Sequence, residues 1–425
     1  MTIKLRRLLF IFFVILFVIV GVAVLYYAKG FRIDFNNLSI TKTGAVYVEA
    51  EPSDIEVYIG KKQYKDKSGI LQKGTLISNI VPKKYIVLIK KEGYENYEKN
   101  IEVFPSQVVR LLNIKLVPKK IPSQPIINEL KGDQIVDVSA TKKIIIYDSQ
   151  KSIYYLYDLS LPNGAPINLN LKISSLTKQK FDSIIFYPQT ENAFIIRTPK
   201  GIFRADIISK ELSPIHEGSV QFFTIRNNNL YSVYSPITKK VVTTSTLEIF
   251  DLVLNNKVSQ IEMPFSSDKI TDVYMNGGQI FVLEKGGSLS AKLDNKFVQI
   301  AHSAKKMALA PDNSKLFYQD IDGKIFVYLL RDELITLDAV KNSSLHLSIE
   351  NSSKISSISW FYDNYHLICT YPDQIVLAEV TNKEPNNHFV LLKNTQNIFY
   401  DQNNKLIYSI NQKTLTVHDI SLKSN

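Results

Sequence analysis

The stretch ALAPDNSKLFYQDIDGKIFVYLL, residues 308–330, decides the fold. It opens on a brief apolar run, turns at Pro311-Asp312-Asn313-Ser314-Lys315, and continues as two apolar runs separated by Asp322-Gly323. Val, Ile, Tyr and Phe suit a pleated surface and Asp-Gly suits a two-residue hairpin. The stretch therefore predicts a short strand followed by two stronger antiparallel strands. Asn313 suits a turn because Asn tolerates left-handed backbone better than most residues. The Asp320-x-Asp322-Gly323 spacing matches the start of a calcium loop, but the distal Glu is missing and strands flank it, so we read a hairpin turn.

The same unit returns along the chain. Anchors at Val136, Ile184, Phe223, Val273, Ala308, Ile358 and Ile398 are spaced by about 44 residues on average, a period that points to four-stranded propeller blades. Residues 135–421 are expected to form a β-propeller of about seven blades; one or two β-sandwiches are the alternative. The second strand of each unit is the most apolar, as burial between neighbouring blades requires. The 308–330 unit resembles the WD40-like blades of TolB-type propellers, whose short strand is followed by a Pro-Asp-Gly-Lys turn.

Residues 119–134, with Pro122 and Pro125, read as a stiff linker. Before it, residues 42–118 alternate in short segments: AVYVEA, IEVYI, KKYIVLIKK, NYEKNIEVF and VVRLLNIKLV. Their two-residue period and the turns between them predict a small β-sandwich. The runs EPSDIEVYIGKK and GTLISNIVPKKYIVLIKKEGYENYEKNIEV resemble a PEGA domain, most closely over Leu76 to Val103. The Pro-Glu-Gly-Ala turn that names the family is replaced by Pro52-Ser53-Asp54-Ile55. The resemblance implies an extracytoplasmic binding or spacer role without catalysis.

At the N-terminus, Lys4, Arg6 and Arg7 precede an uncharged run from Leu8 to Tyr27. Twenty residues at about 1.5 Å each cover the roughly 30 Å hydrocarbon layer. We expect a transmembrane anchor at 8–28, a cytoplasmic tail at 1–7 with the three cations as topology determinants, and everything downstream outside the cytoplasm. A cleaved signal sequence is the competing reading, but the apolar run is long for one. The fold class is thus all-β: a single N-terminal transmembrane helix, a small PEGA-like sandwich, then the propeller.

The net charge of +11 is unevenly placed. Residues 1–40 hold five Lys/Arg against one Asp, residues 41–120 hold fifteen against nine acids, and the rest is nearly neutral. A solvated lysine face is the default reading of the basic third, a membrane surface or an anionic wall polymer suits its location, and nucleic acid does not suit an exported chain without a basic stripe. Cys369 is the only cysteine, so no internal disulfide forms, as is common in bacterial envelopes.

Chemistry is sparse. The chain lacks a Gly-x-Ser-x-Gly elbow, a phosphate-binding Gly-Lys-Ser/Thr loop and His-Glu-x-x-His. Its six histidines stand 20 or more residues apart, without the pairing that puts two imidazoles on one face. No catalytic residue, cofactor or metal is expected. Trp360, Phe361 and Tyr362 form the one aromatic cluster we would test as a ligand surface. The expectation is a membrane-anchored envelope protein that binds an envelope polymer or protein and is not an enzyme. A propeller hydrolase or lyase and a purely structural spacer are the alternatives.

Overall fold

The computed structural model describes residues 3–422 apart from 35–38, 70–71, 162–163, 227, 236–243, 277, 294–295 and 335. Ile3–Ala28 is a helix, and within it Arg6–Ala28 is long and apolar enough to cross a membrane, with mean hydropathy 3.5. None of its length is packed inside the protein. A signal sequence meets the same test, and the side chain of Lys4 lies outside the described residues. Arg6 and Arg7 are exposed. A hairpin missed in the sequence, Phe31–Asp34 with Ser39–Lys42, follows the helix, and Arg32 donates back to the Tyr27 carbonyl at 2.9 Å.

The sandwich has two sheets. One orders Lys62–Lys65, Glu56–Ile59, Lys84–Lys90 and Tyr97–Glu102. The other orders Thr75–Ile80, Gly44–Glu51 and Val108–Lys115, the last two running parallel. Val46 and Val48 point inward from one sheet and Val57, Ile59, Val87 and Ile89 from the other, all nearly or fully buried. The alternation read from the sequence is therefore the inside and outside of the sandwich. At the altered turn, Asp54 takes φ 62°, a left-handed conformation that Gly would adopt without strain.

Seven four-stranded antiparallel sheets follow among the described residues. Their first strands are Gln134–Val138, Ser183–Phe186, Phe222–Arg226, Ile270–Asn276, Ala304–Leu309, Ser357–Trp360 and Ile398–Asp401, and each carries one of the seven sequence anchors. The first strands of sheets one and two, three and four, four and five, five and six, and seven and one touch, which sets the sheets around an axis as in a β-propeller. An apolar cluster fills every seam between successive sheets, including that between sheet seven and sheet one.

Those seams explain the most apolar strands. In Lys143–Asp148 the consecutive Ile144, Ile145 and Ile146 are all fully buried. Ile144 and Ile146 face sheet seven, whereas Ile145 faces sheet two. A strand covered on both faces by neighbouring sheets has no polar face to alternate with. Asn313 takes φ 57° at its turn, and Asp322-Gly323 joins Lys315–Asp320 to Ile325–Leu329 as a hairpin.

One segment departs from the sequence reading. The expected linker at 119–134 contains Ser123–Ile127, which pairs antiparallel with Thr414–Asp419 and completes sheet seven. Its prolines allow this because the strand lies at the sheet's outer edge, where a missing N–H is tolerated. A buried bridge pins the pair. His418 lies between two hydroxyls, Nδ1 2.7 Å from Ser123 Oγ and Nε2 2.8 Å from Ser409 Oγ, one nitrogen donating and the other accepting, and burial holds its pKa below the ordinary imidazole value.

Candidate functional site

The sandwich and the propeller share one core. Val46, Ile89, Tyr97 and Leu111 belong to the same apolar cluster as Phe361, Ile368, Leu377 and Phe389 of sheet six and Ile407 of sheet seven. Polar groups seal its edge. Lys99 is 1% exposed, and its Nζ donates to Glu379 Oε2 at 2.7 Å, Pro385 O at 2.9 Å and Lys383 O at 3.0 Å. Tyr97 donates to Glu379 Oε1 at 2.8 Å. The Asn387 amide accepts from Glu98 N at 3.2 Å and donates to Glu98 O at 3.0 Å, standing in for a neighbouring strand along the sandwich edge. Burial lowers the pKa of Lys99 and opposes ionisation of Glu379, yet Lys99 beside it leaves the Glu379 carboxyl below its usual range.

The aromatic cluster of the sequence reading is divided by this seam. Trp360 is 2% exposed and donates Nε1–H to the Ala308 carbonyl at 2.8 Å. Phe361 is fully buried in the shared core. Tyr362 donates to Ser421 O at 2.9 Å and has Lys405 over its ring. The three do not form one exposed surface: Ile358 and Trp360 face sheet five, while Phe361 turns toward the sandwich.

A cavity of about 590 Å³ lies against the inner strands of the propeller. Its lining comes from five sheets: Arg226 and Tyr231 of sheet three, Thr271, Asp272 and Tyr274 of sheet four, Lys305 and Lys306 of sheet five, Trp360 of sheet six, and Tyr400 of sheet seven with the adjoining Gln402 and Asn403. Arg226 donates to Asp272 Oδ1 at 3.2 Å and to the Val273 carbonyl at 2.9 Å, with its guanidinium over the Tyr274 ring. Burial raises the Asp272 pKa against the pull of Arg226. Lys306 donates to the Ser356 carbonyl. Its pKa is lowered, first by burial and then by Lys305. Among the described residues neither lysine is ion-paired.

β-Bulges aim these side chains. The register slips between Ile270 and Asp272 and again between Ala304 and Lys306. Adjacent strand residues normally point to opposite faces, but a bulge lets both residues of a pair turn one way. Thr271 and Asp272, and likewise Lys305 and Lys306, stand at these slips and line the same cavity. Sequence reasoning missed the site because its charged residues stand far apart along the chain. The adjacent Lys305-Lys306 in a near-neutral region was the one available signal.

Two other buried histidines are paired elsewhere. His216 Nδ1 lies 2.8 Å from Glu248, which also meets Lys257 at 2.7 Å, and His366 Nδ1 lies 2.8 Å from Asp363. Among the described residues no group of three or more His, Cys, Asp or Glu is placed to hold a metal ion. Cys369 is fully buried, which pushes its thiol up to about 12.

Comparison with known proteins gives the sandwich its family. Residues 43–120 match the PEGA domain model. The PEGA region thus spans the sandwich, and its Tyr97, Glu98 and Lys99 are the residues that grip sheet six. No curated protein sequence matches the chain. Among solved structures, similar chains include one in the crystal structure of the mitotic checkpoint complex, at 10% identity and TM-score 0.43, covering 72% of this chain and 93% of that one. The AfRom2 CNH domain is similar at 9% identity and TM-score 0.45, covering 70% and 98%. Oligogalacturonate lyase from Vibrio parahaemolyticus is similar at 10% identity and TM-score 0.45, covering 71% and 97%.

Proposed function

We propose that this chain is a membrane-anchored protein of the cell envelope, with the propeller held outside the cytoplasm as a binding platform for an envelope polymer or protein. The observation that carries the reading is the order of parts: an apolar helix, then a region matching the PEGA domain, then a propeller sharing that region's core. The shared core gives the propeller a fixed pose on the PEGA region, which suits display more than a loose tether does. The cavity favours binding over catalysis: among the described residues its lining holds one carboxylate, Asp272, already engaged by Arg226, and no histidine.

The test is made on intact cells. Protease added outside is expected to remove a C-terminal epitope tag, and surface cross-linking to capture an envelope component that is lost when residues 121–425 are deleted. A tag protected until the cells are lysed would refute the reading.

A further inference from the structure

The propeller cavity presents two lysines and an arginine against one carboxylate. We propose that it is a binding site for an anionic ligand of small-oligosaccharide size, with Lys305 and Lys306 gripping a carboxylate or phosphate group. The site rests on the proposed role as a binding platform and names the ligand class that platform takes.

Three observations carry it. First, two adjacent cations, Lys305 and Lys306, both line one cavity beside the register slip at Ala304 to Lys306. Lys305 is exposed and Lys306 half-buried, and like charges side by side repel until an opposite charge lies between them. Second, the one carboxylate of the lining does not answer them. Asp272 is occupied by Arg226 and by the Val273 N–H at 2.9 Å, and Lys306 reaches only the Ser356 carbonyl. Third, the remaining lining suits a polyhydroxylated body. The rings of Tyr231 and Tyr400 supply flat faces, and the Gln402 and Asn403 amides supply donors and acceptors. A cavity of about 590 Å³ is in the size range of ligand sites.

Binding is measured on the full chain in non-ionic detergent at low salt, by calorimetry and by thermal shift, with glucuronate, inorganic phosphate and glucose as probes. Glucuronate, phosphate or both are expected to bind and raise the Tm, and to lose affinity as salt is added; glucose is not. Whichever anion binds identifies the head group. The Lys305→Gln/Lys306→Gln variant is expected to bind at least tenfold more weakly, whereas Lys296→Gln, exposed on the outermost strand of sheet four, binds as the parent does. Should the double variant melt early, Lys305→Gln alone gives the reading, because Lys305 is exposed at the rim. Equal binding of glucose, no response to either anion, or full affinity in the lysine variants overturns the proposal. A negative result here leaves the surface cross-linking outcome standing, since that assay does not depend on the cavity.

Discussion

Lys99 and Lys306 are the same residue type in two regions of one molecule, and they are treated in opposite ways. At the seam between the PEGA region and sheet six, Lys99 spends its three donors on one carboxylate and two carbonyls. In the propeller cavity, Lys306 meets one carbonyl and stands beside another lysine. Burial lowers the pKa of both, but only at the seam is an anion built in to offset it. A saturated buried cation is architecture. An unsaturated one held in a cavity is available to something that is not part of the chain.

The strongest way to break this contrast is to remove the seam's anion. Glu379→Ala leaves Lys99 buried without its partner and is expected to cost about 3–5 kcal/mol in denaturant unfolding. Lys99→Met with Glu379→Leu, which removes both charges, is expected to return to within about 1 kcal/mol of the parent. A single mutant that unfolds like the parent would show that the seam does not depend on the pair.

Acid and base should separate the seam from the inner strands. Asp137 of sheet one is raised to about 6 by burial, with Asp401 adding to the rise and the Phe186 and Val138 N–H groups opposing it. Its folded pKa lies above its unfolded value, so the folded state holds the proton more tightly. Its contribution is present at low pH and lost as pH rises from about 4 through about 6, by up to about 3 kcal/mol. Asp137→Asn is expected to flatten that slope in urea midpoints measured against pH. Glu379 behaves in reverse: its folded pKa is lowered, so its contribution is present above the unfolded value and lost as pH falls.

Much of this fold can be read from residues alone. Each of the seven anchors sits on the first strand of a sheet because every sheet solves the same burial problem with the same strand, turn and hairpin. The PEGA strands are legible because one face is wet and the other dry. The short strand Lys62–Lys65 was missed because its four residues carry no dry face, and Thr75–Ile80 because its alternation is broken. Ser123–Ile127 reads as linker because its partner strand is at the far end of the chain. Trp360 to Tyr362 looks like one patch until the strand sends alternate residues to opposite neighbours. The cavity is the least legible feature, assembled from Arg226 to Asn403 by five inner strands and two bulges.

The smallest expected effect tests the outer closure of sheet seven. Ser123→Ala removes one hydroxyl from His418 and is expected to cost about 1 kcal/mol, visible as a small Tm decrease without change at the seam or in the cavity. A loss as large as that of Glu379→Ala would mean that the ring depends on this edge more than on the shared core.

That edge has a consequence in time. Ser123 and His418 are 295 positions apart, and the ribosome makes the first long before the second. During elongation the PEGA region is complete while sheet seven still lacks three of its four strands, and the surface destined for sheet six waits uncovered. A nascent chain of this design spends most of its synthesis unfinished, so any stall before the closing strand leaves sheet seven open.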